Sequence, residues 1–102
     1  MATKPTTNAP VNCADLLKAV GDETRLAVLR KLLDGPQHVG QINEDLKIEQ
    51  SLLSHHLKVL RDSSLVVAVR DGKAVRYQLA PGVEVSRQKK VINMGCCKLS
   101  FD

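Results

Sequence analysis

Aromatic residues are nearly absent from this chain of 102 residues, which has one tyrosine (Tyr77), one phenylalanine (Phe101) and no tryptophan. Leucine, valine, isoleucine and alanine must therefore form most of the core. A length of about 100 residues is typical of a single domain. Because a small aliphatic core stabilises a lone chain only marginally, we expect a second copy to complete it in a homodimer.

Long apolar segments are missing as well. No stretch approaches the roughly 20 apolar residues that cross a bilayer, and the first residues lack the apolar centre of a signal peptide. We therefore expect a soluble, cytoplasmic protein without a membrane partner. In that reducing compartment, its three cysteines should be thiols or metal ligands rather than a disulfide framework.

The usual catalytic patterns are not evident either. The sequence shows no Ser-His-Asp order, no glycine-rich phosphate loop and no paired carboxylates. The chain is also short for a fold that must enclose a catalytic cleft. We therefore predict that it is not an enzyme.

Positive charge is in excess and is unevenly distributed. Fifteen Lys and Arg residues against eleven Asp and Glu residues give a formal net charge of +4. Much of the excess lies within residues 58–76, which contain Lys58, Arg61, Arg70, Lys73 and Arg76 against Asp62 and Asp71. This distribution suits a polyanionic partner such as nucleic acid, although many basic proteins bind none.

Helical patterns follow a short N-terminal arm. Residues 1–10 are rich in Thr and Pro and are predicted to be mobile. Apolar residues at helical spacing, Asp22 as an N-cap and Gly35-Pro36 as a stop then predict four helices. Their expected ranges are 11–20, with Leu16, Leu17 and Val20 on the apolar face, 23–34, 39–46 and 50–61.

Two β-rich runs follow the fourth helix. Residues 65–70 and 74–79 flank Asp71-Gly72-Lys73, and an Asp-Gly pair between such runs predicts a hairpin. Residues 83–95 are predicted to form a last helix, although their helical periodicity is poor. Residues 96–102 then form a cysteine-containing tail. Four helices, a hairpin and a final helix (ααααββα), mainly α, are the arrangement of a winged helix-turn-helix domain over residues 11–95.

The fourth helix has one polar and one apolar side. On a wheel of about 100° per residue, the polar side consists of Gln50, Ser51, Ser54, His55, Lys58 and Arg61. His56 lies on the apolar side, which predicts a buried histidine rather than a ligand. Amides and hydroxyls can bind base edges in a major groove, while cations bind phosphates.

The hairpin strengthens the case for DNA binding because it carries Arg70, Lys73 and Arg76, cations that a wing could place against phosphates. Two alternatives remain open at this point. The polar side of the fourth helix could be only a solvated surface. The domain could also be a winged helix that serves protein–protein assembly, which would need neither the basic hairpin nor this polar side.

Three segments together carry a family resemblance. LLKAVGDETRLAVLRKLLDG, QSLLSHHLKVLRDSSLV and VRDGKAVRYQL, within about residues 13–80, resemble the ArsR/SmtB family of metal- and stress-sensing repressors. The resemblance implies a dimer, joined through its first and last helices, that sits on palindromic operator DNA until an inducer binds. One departure is Ser64, which stands where the family usually has a glycine. A serine there must adopt a left-handed backbone at some cost, or the helix must end differently.

The resemblance also indicates where an inducer would bind. The Cys-Val-Cys type of motif that relatives carry on the third helix is absent from residues 39–46, VGQINEDL. The Asp-x-His and His-x-x-Glu or His pairs of zinc-sensing members are absent from the last helix. These differences count against a zinc, cadmium or lead sensor of the familiar designs. The remaining candidate ligands are Cys13, Cys96 and Cys97.

Thiolates are soft ligands, and trivalent arsenic or antimony, which seeks about three sulfurs, would fit this trio of cysteines. Vicinal cysteines also occur in arsenic-responsive relatives. Because adjacent residues of a helix diverge by about 100°, Gly95 would have to unwind the last turn for both sulfurs to converge. No cofactor is expected for DNA binding itself.

Two other roles for the cysteines stay open. Nearby Lys89, Lys90 and Lys98 would stabilise thiolates, which could form a disulfide or polysulfide bridge with Cys13 in a repressor that senses oxidants or persulfides. Alternatively, Cys13 could simply be a buried cysteine, since that residue type is common in cores.

Overall fold

A computed structural model describes residues 12–101, so the predicted arm at 1–10 lies outside the described residues. None of the helices in this range is long and apolar enough to cross a membrane. In chain order, the elements are α1 (Cys13–Val20), α2 (Glu23–Leu33), β1 (Gln37–His38), α3 (Val39–Leu46), α4 (Gln50–Asp62), β2 (Val66–Asp71), β3 (Ala74–Leu79), β4 (Glu84–Ser86), β5 (Val91–Asn93) and β6 (Lys98–Ser100).

Side-chain caps fix the starts of the first two helices. The Asn12 side chain accepts a hydrogen bond from the backbone N–H of Asp15, at 2.8 Å. The Asp22 carboxylate does the same for the backbone N–H of Arg25, at 3.0 Å, and this bond lowers the pKa of Asp22. Each cap satisfies an N–H that the helix itself leaves unpaired. The predicted N-cap at Asp22 is therefore confirmed.

The core is aliphatic, as predicted. Among the described residues, Tyr77 is its one buried aromatic side chain, and the partly buried Phe101 packs against it from outside. Most of its completely buried side chains come from α2, α3 and α4 and include Val28, Leu29, Ile42, Leu53 and Leu60. Leu17 was expected on the apolar face of the first helix, but its side chain is 51% exposed. Ala19 is buried with Leu16 and Val20 instead, because these three residues face α2 and α4.

The predicted hairpin is present and forms a wing. β2 and β3 pair antiparallel from Val66↔Leu79 to Asp71↔Ala74, which leaves Gly72 and Lys73 as the turn. Gly72 has a φ of +65°, a conformation that costs glycine little. The two-residue strand β1 pairs with β3 on its other side and ties the start of α3 to the wing.

The predicted last helix at 83–95 is wrong, and so is the boundary at 96–102. Strands β4, β5 and β6 form a second antiparallel sheet in that order. β-Branched residues in two short runs, Val83/Val85 and Val91/Ile92, favour strands over a helix. Ile92 is completely buried in the core, and the Arg87 Nε–H donates to the carbonyl of Leu33 at 3.0 Å, so this sheet packs against the end of α2.

The sequence left open whether Ser64 adopts a left-handed backbone or the helix ends differently. Ser64 adopts the left-handed conformation, with a φ of +63°. The Leu65 N–H donates to the Leu60 carbonyl at 3.1 Å, and the Ser64 N–H donates to the Arg61 carbonyl at 3.0 Å. This pair of bonds is the Schellman termination of a helix, in which the residue with positive φ is usually glycine. Helix α4 therefore ends in the way that a glycine at this position would end it, although position 64 carries a serine side chain.

Candidate nucleic-acid interface and cysteine cluster

The polar side of α4 is open to solvent. All six of its predicted contact residues are exposed, namely Gln50, Ser51, Ser54, His55, Lys58 and Arg61. The opposite side packs into the core through Leu53, Leu57 and Leu60. The three-residue turn after α3 passes through Lys47, which has a φ of +51°, and sets α4 against α3. The arrangement leaves α4 presented as a convex ridge.

Two acidic residues at the ends of this ridge modify its charge. Asp62 accepts a 2.7 Å hydrogen bond from Lys58 Nζ, one turn earlier, and this bond lowers the pKa of Asp62. Glu49 accepts a hydrogen bond from the Ser51 hydroxyl at 2.8 Å. Both ends of the Lys58–Asp62 pair are more than 60% exposed, so the pair is weak and Lys58 can exchange its partner for a phosphate.

The wing presents its cations unequally. Arg70 and Lys73 are exposed near the turn, and neither is in a salt bridge within residues 12–101. The Arg76 side chain is only 36% exposed, and its Nη1 lies 3.8 Å from Asp71 Oδ2. Its Nε–H is buried without a partner among the described residues. Arg70 and Lys73 are therefore better placed for phosphates than Arg76 is.

His56 is buried, as predicted, and connects α4 to α2. Its side chain is 9% exposed, and its Nδ1 lies 2.9 Å from Arg25 Nη1 and 3.8 Å from Asp22 Oδ2. Burial lowers the pKa of His56, and the nearby Arg25 cation adds to the effect, while Asp22 opposes it. The sequence did not reveal this cluster, because its three members are up to 34 residues apart and only the N-cap role of Asp22 has a local signature.

The three cysteines lie together although they come from opposite ends of the described chain. Cys13 is the first residue of α1, and its Sγ is disulfide-bonded to that of Cys96, with a Cα–Cα distance of 5.7 Å. Cys97 is a free thiol, and its Sγ lies 3.8 Å from that of Cys96. All three sulfurs lie within 4.8 Å of one another. We expected all three cysteines to be thiols or metal ligands. The disulfide shows that this expectation is wrong for Cys13 and Cys96, whereas Cys97 is a thiol.

A tight turn, rather than a helix end, positions Cys96 and Cys97. The turn joins β5 to β6 beyond the Asn93↔Lys98 pair, and the Met94 N–H donates to the Cys97 carbonyl at 2.9 Å. Gly95 has a φ of +96°, which only glycine adopts readily. Because the chain reverses at this point, the expected divergence of neighbouring helical side chains does not arise. The two sulfurs can face Cys13 together.

Comparisons with known proteins agree with this architecture. Residues 22–68 match the family model described as "Bacterial regulatory protein, arsR family". The transcriptional activator HlyU of Vibrio cholerae is 36% identical over 83 residues, which cover 81% of this chain and 76% of that protein. The regulator CmtR of Mycobacterium tuberculosis is 45% identical over 67 residues, covering 66% of this chain. The chain spans only 57% of the length of CmtR.

Solved structures give the same result. HlyU from Vibrio cholerae superposes with a TM-score of 0.64 at 39% identity, covering 68% of this chain and 75% of HlyU. Mb0332 from Mycobacterium bovis, described as a homodimeric winged helix-turn-helix DNA-binding domain, has a TM-score of 0.63 at 30% identity, with 66% of this chain and 62% of that one covered. These relatives are named as regulators and not as enzymes, in line with the sequence prediction. The winged helix-turn-helix chain described here belongs to the arsR family of bacterial regulatory proteins.

Proposed function

We propose that the protein is a cytoplasmic, homodimeric transcriptional repressor that binds a palindromic operator and releases it when trivalent arsenic or antimony binds Cys13, Cys96 and Cys97. The observation that carries the proposal is the convergence of three sulfur atoms within 4.8 Å in a chain whose α4 ridge is exposed. In this proposal α4 is the recognition helix, and two copies of it enter successive major grooves about one helical turn apart.

The chemistry of the exposed residues supports a division of labour at the DNA. Gln50, Ser51, Ser54 and His55 offer hydrogen-bonding groups near the start of α4, where recognition helices contact base edges. Lys58 and Arg61 lie toward its end, and Arg70, Lys73 and Arg76 lie on the wing. These cations fit phosphates, which contribute affinity without sequence information.

The DNA proposal is tested by comparing Lys73→Ala with Ser54→Ala on specific and random duplexes. Lys73→Ala should weaken binding to both duplexes and reduce the slope of log affinity against log salt by about 1. Ser54→Ala should weaken specific binding more than random binding. A wild-type protein that ignores duplexes even at low salt would contradict the proposal and favour a role in protein assembly.

The donor set supports a thiophilic ligand. A thiolate lies about 2.3 Å from a zinc ion, so two thiolates on one ion lie at most about 4.6 Å apart. The Cys96 and Cys97 sulfurs, 3.8 Å apart, already satisfy that limit, and the 4.8 Å bound on the trio is close to it. Thiolates select soft ions over hard ones.

Binding requires the Cys13–Cys96 disulfide to be reduced first, by two electrons and two protons from two cellular thiols, which are oxidised to a disulfide in exchange. Arsenous acid, As(OH)₃, then exchanges its three hydroxyl groups for three thiols. Three As–O bonds break, three As–S bonds form, and three water molecules leave. The product ties the start of α1 to the β5–β6 turn through one atom.

The alternative is a repressor that senses thiol oxidation, and the Cys13–Cys96 disulfide favours it. Two thiols would lose two protons and two electrons to a peroxide or a persulfide, and Cys97 would not be needed. One solved relative is described as reduced HlyU, which supports thiol chemistry as a variable in this fold.

The variant Cys97→Ser separates the two functions because it removes one metalloid ligand but keeps the disulfide pair. Pre-reduced wild type, Cys97→Ser and Cys96→Ser/Cys97→Ser are each bound to operator and titrated with arsenite, antimonite, zinc and polysulfide. We expect arsenite to release the wild type and neither variant. Release of both the wild type and Cys97→Ser by polysulfide, with no effect of arsenite, would establish the alternative.

A further inference from the structure

One guanidinium group joins three helices. Arg25, on the first turn of α2, donates from Nε to the Ala19 carbonyl and from Nη2 to the Lys18 carbonyl, at 2.5 and 3.3 Å. These carbonyls belong to the last turn of α1, where acceptors lack the usual partner four residues later. The Lys18 carbonyl also accepts the Gly21 N–H, at 3.3 Å. The third nitrogen, Nη1, lies 2.9 Å from Nδ1 of His56 on α4. Arg25 thus contacts the end of α1 and the middle of α4 at once.

The contact with His56 is directional. A guanidinium has only donors, so Nδ1 of His56 must be the acceptor and the ring must carry its proton on Nε2. The ring is buried on the side of α4 opposite to its exposed ridge, so the contact fixes the helix from behind. Any shift of Arg25 therefore changes a hydrogen bond that orients α4.

Helix α1 is the element that connects this contact to the cysteines. Its eight residues begin at Cys13 and end at Val20, a rod of about 12 Å at 1.5 Å per residue. Its N-terminal end bears one sulfur of the cluster, and its C-terminal carbonyls bind Arg25. Because backbone hydrogen bonds hold a helix this short together, we expect a pull on Cys13 to displace the Lys18 and Ala19 carbonyls as well.

We infer that Arg25 is a positioning residue that transmits the state of the cysteine cluster from α1 to α4, through its simultaneous bonds to the C-terminal carbonyls of α1 and to His56. The inference rests on the proposed regulation of DNA binding through these cysteines. It does not depend on which reagent modifies them. Arg25 and His56 belong neither to the proposed DNA-contact residues nor to the cysteine cluster, so the role assigned to them is one of coupling between the two sites.

The fork shape of arginine is essential to this role. Lysine keeps the positive charge, but its single nitrogen cannot reach two carbonyls and an imidazole in the geometry of a planar fork. At position 56, asparagine places its side-chain oxygen near the site of Nδ1 and keeps an acceptor, whereas leucine fills the space without one. Arg30→Lys is a matched control, because Arg30 lies on the same helix but pairs only with Asp34 at 3.5 Å.

The experiment measures the ratio of operator dissociation constants with and without modification of the cysteines. Arsenite added to pre-reduced protein is one modification, and oxidation to the Cys13–Cys96 disulfide is the other. Arsenite binding is followed separately by the ultraviolet absorbance of As–S bonds. Coupled sites typically change affinity by about 5- to 150-fold. We expect the ratio of dissociation constants to lie in this range for the wild type, Arg30→Lys and His56→Asn. For Arg25→Lys and His56→Leu, whose coupling would be lost, we expect a ratio below about 2.

The outcomes distinguish this inference from the proposed function. If oxidation changes DNA affinity but arsenite does not, the metalloid proposal fails, while loss of the oxidation effect in Arg25→Lys still supports the inference. The inference is overturned if Arg25→Lys or His56→Leu shows the same ratio of dissociation constants as the wild type. It is also overturned if the DNA affinity of the wild type responds to neither modification. Should Arg25→Lys fail to fold by circular dichroism, the contrast between His56→Asn and His56→Leu decides the question.

Discussion

The imidazole of His38 lies 2.9 Å, from Nε2 to Oδ2, from the carboxylate of Asp71 at the tip of the wing. The two residues are 33 positions apart, and β1 brings them together by pairing His38 with Arg76 on β3. The same carboxylate oxygen lies 3.8 Å from Arg76 Nη1. Asp71 therefore holds a negative charge among the cations that the wing would present to DNA.

Replacing Asp71 by Asn should strengthen DNA binding. Asn suits a hairpin turn as well as Asp does, and the change removes one negative charge beside Arg76. We expect tighter binding by a few-fold at low salt, with a salt slope steeper by up to about 1. Fluorescence anisotropy across a salt series measures both quantities. Glu84→Gln, on the second sheet, makes the same charge change and serves as the control; equal effects of both variants would argue against a role for the wing.

Ser64→Gly should stabilise the protein. A non-glycine residue in the left-handed region costs about 1 kcal/mol, and glycine loses part of this gain through its greater freedom in the unfolded chain. We expect the free energy of unfolding to rise by about 0.5 kcal/mol and Tm to rise by about 2–4 °C. Both are measurable by thermal and urea denaturation.

Ser63→Gly is the matched control for that change. Ser63 has a φ of −89°, and its hydroxyl donates to the Val59 carbonyl at 2.9 Å. Glycine there removes this bond and brings no relief of backbone conformation, so it should destabilise the protein. Destabilisation by Ser64→Gly as well would show that the end of α4 does not carry the expected strain.

Leu17→Lys should separate the proposed dimer. Leu17 is 51% exposed in the single chain although Leu16, Ala19 and Val20 on the same helix are buried. In the proposed dimer the first helix lies at the interface, where a second copy would cover this side chain. Sedimentation velocity should show monomers, with a large loss of affinity for a two-half-site operator. Leu52→Lys, at a leucine 45% exposed on α4, should remain dimeric. A dimeric Leu17→Lys variant would place the interface elsewhere.

His56 should make the stability depend on pH. Burial lowers its pKa below the ordinary 6.5, so the native ring stays neutral where the unfolded ring takes up a proton. The unfolded state then binds more protons below about pH 6.5, and the free energy of unfolding should fall as the pH drops, by up to about 1.4 kcal/mol per pH unit. Above that pH this contribution is constant.

Urea denaturation between about pH 5 and pH 8 measures that slope. His56→Asn keeps an acceptor for Arg25 but cannot titrate, so its slope in this range should be smaller than that of the wild type. His55→Asn, at the exposed neighbour, is the control. The same slope in the wild type and His56→Asn would mean that other groups cause the pH dependence.

Local sequence signals were sufficient for the winged helix-turn-helix part of the chain. The bounds of α3 agree with the predicted 39–46, and α4 extends the predicted 50–61 by one residue. Caps, helical spacing and the Asp-Gly turn act over a few residues, so they can be read directly from the sequence. The strands at 84–100 were missed because three-residue strands have almost no periodicity of their own.

The sequence by itself determined the first four helices, the wing and the separation of α4 into a polar and an apolar side, because each depends on neighbours within one or two turns. Only the tertiary structure decided that Cys13 meets Cys96 and Cys97, that Arg25 binds His56 and that Asp71 faces His38. Those contacts join residues at least 31 positions apart. The way the elements pack sets such distances, and no local pattern encodes them.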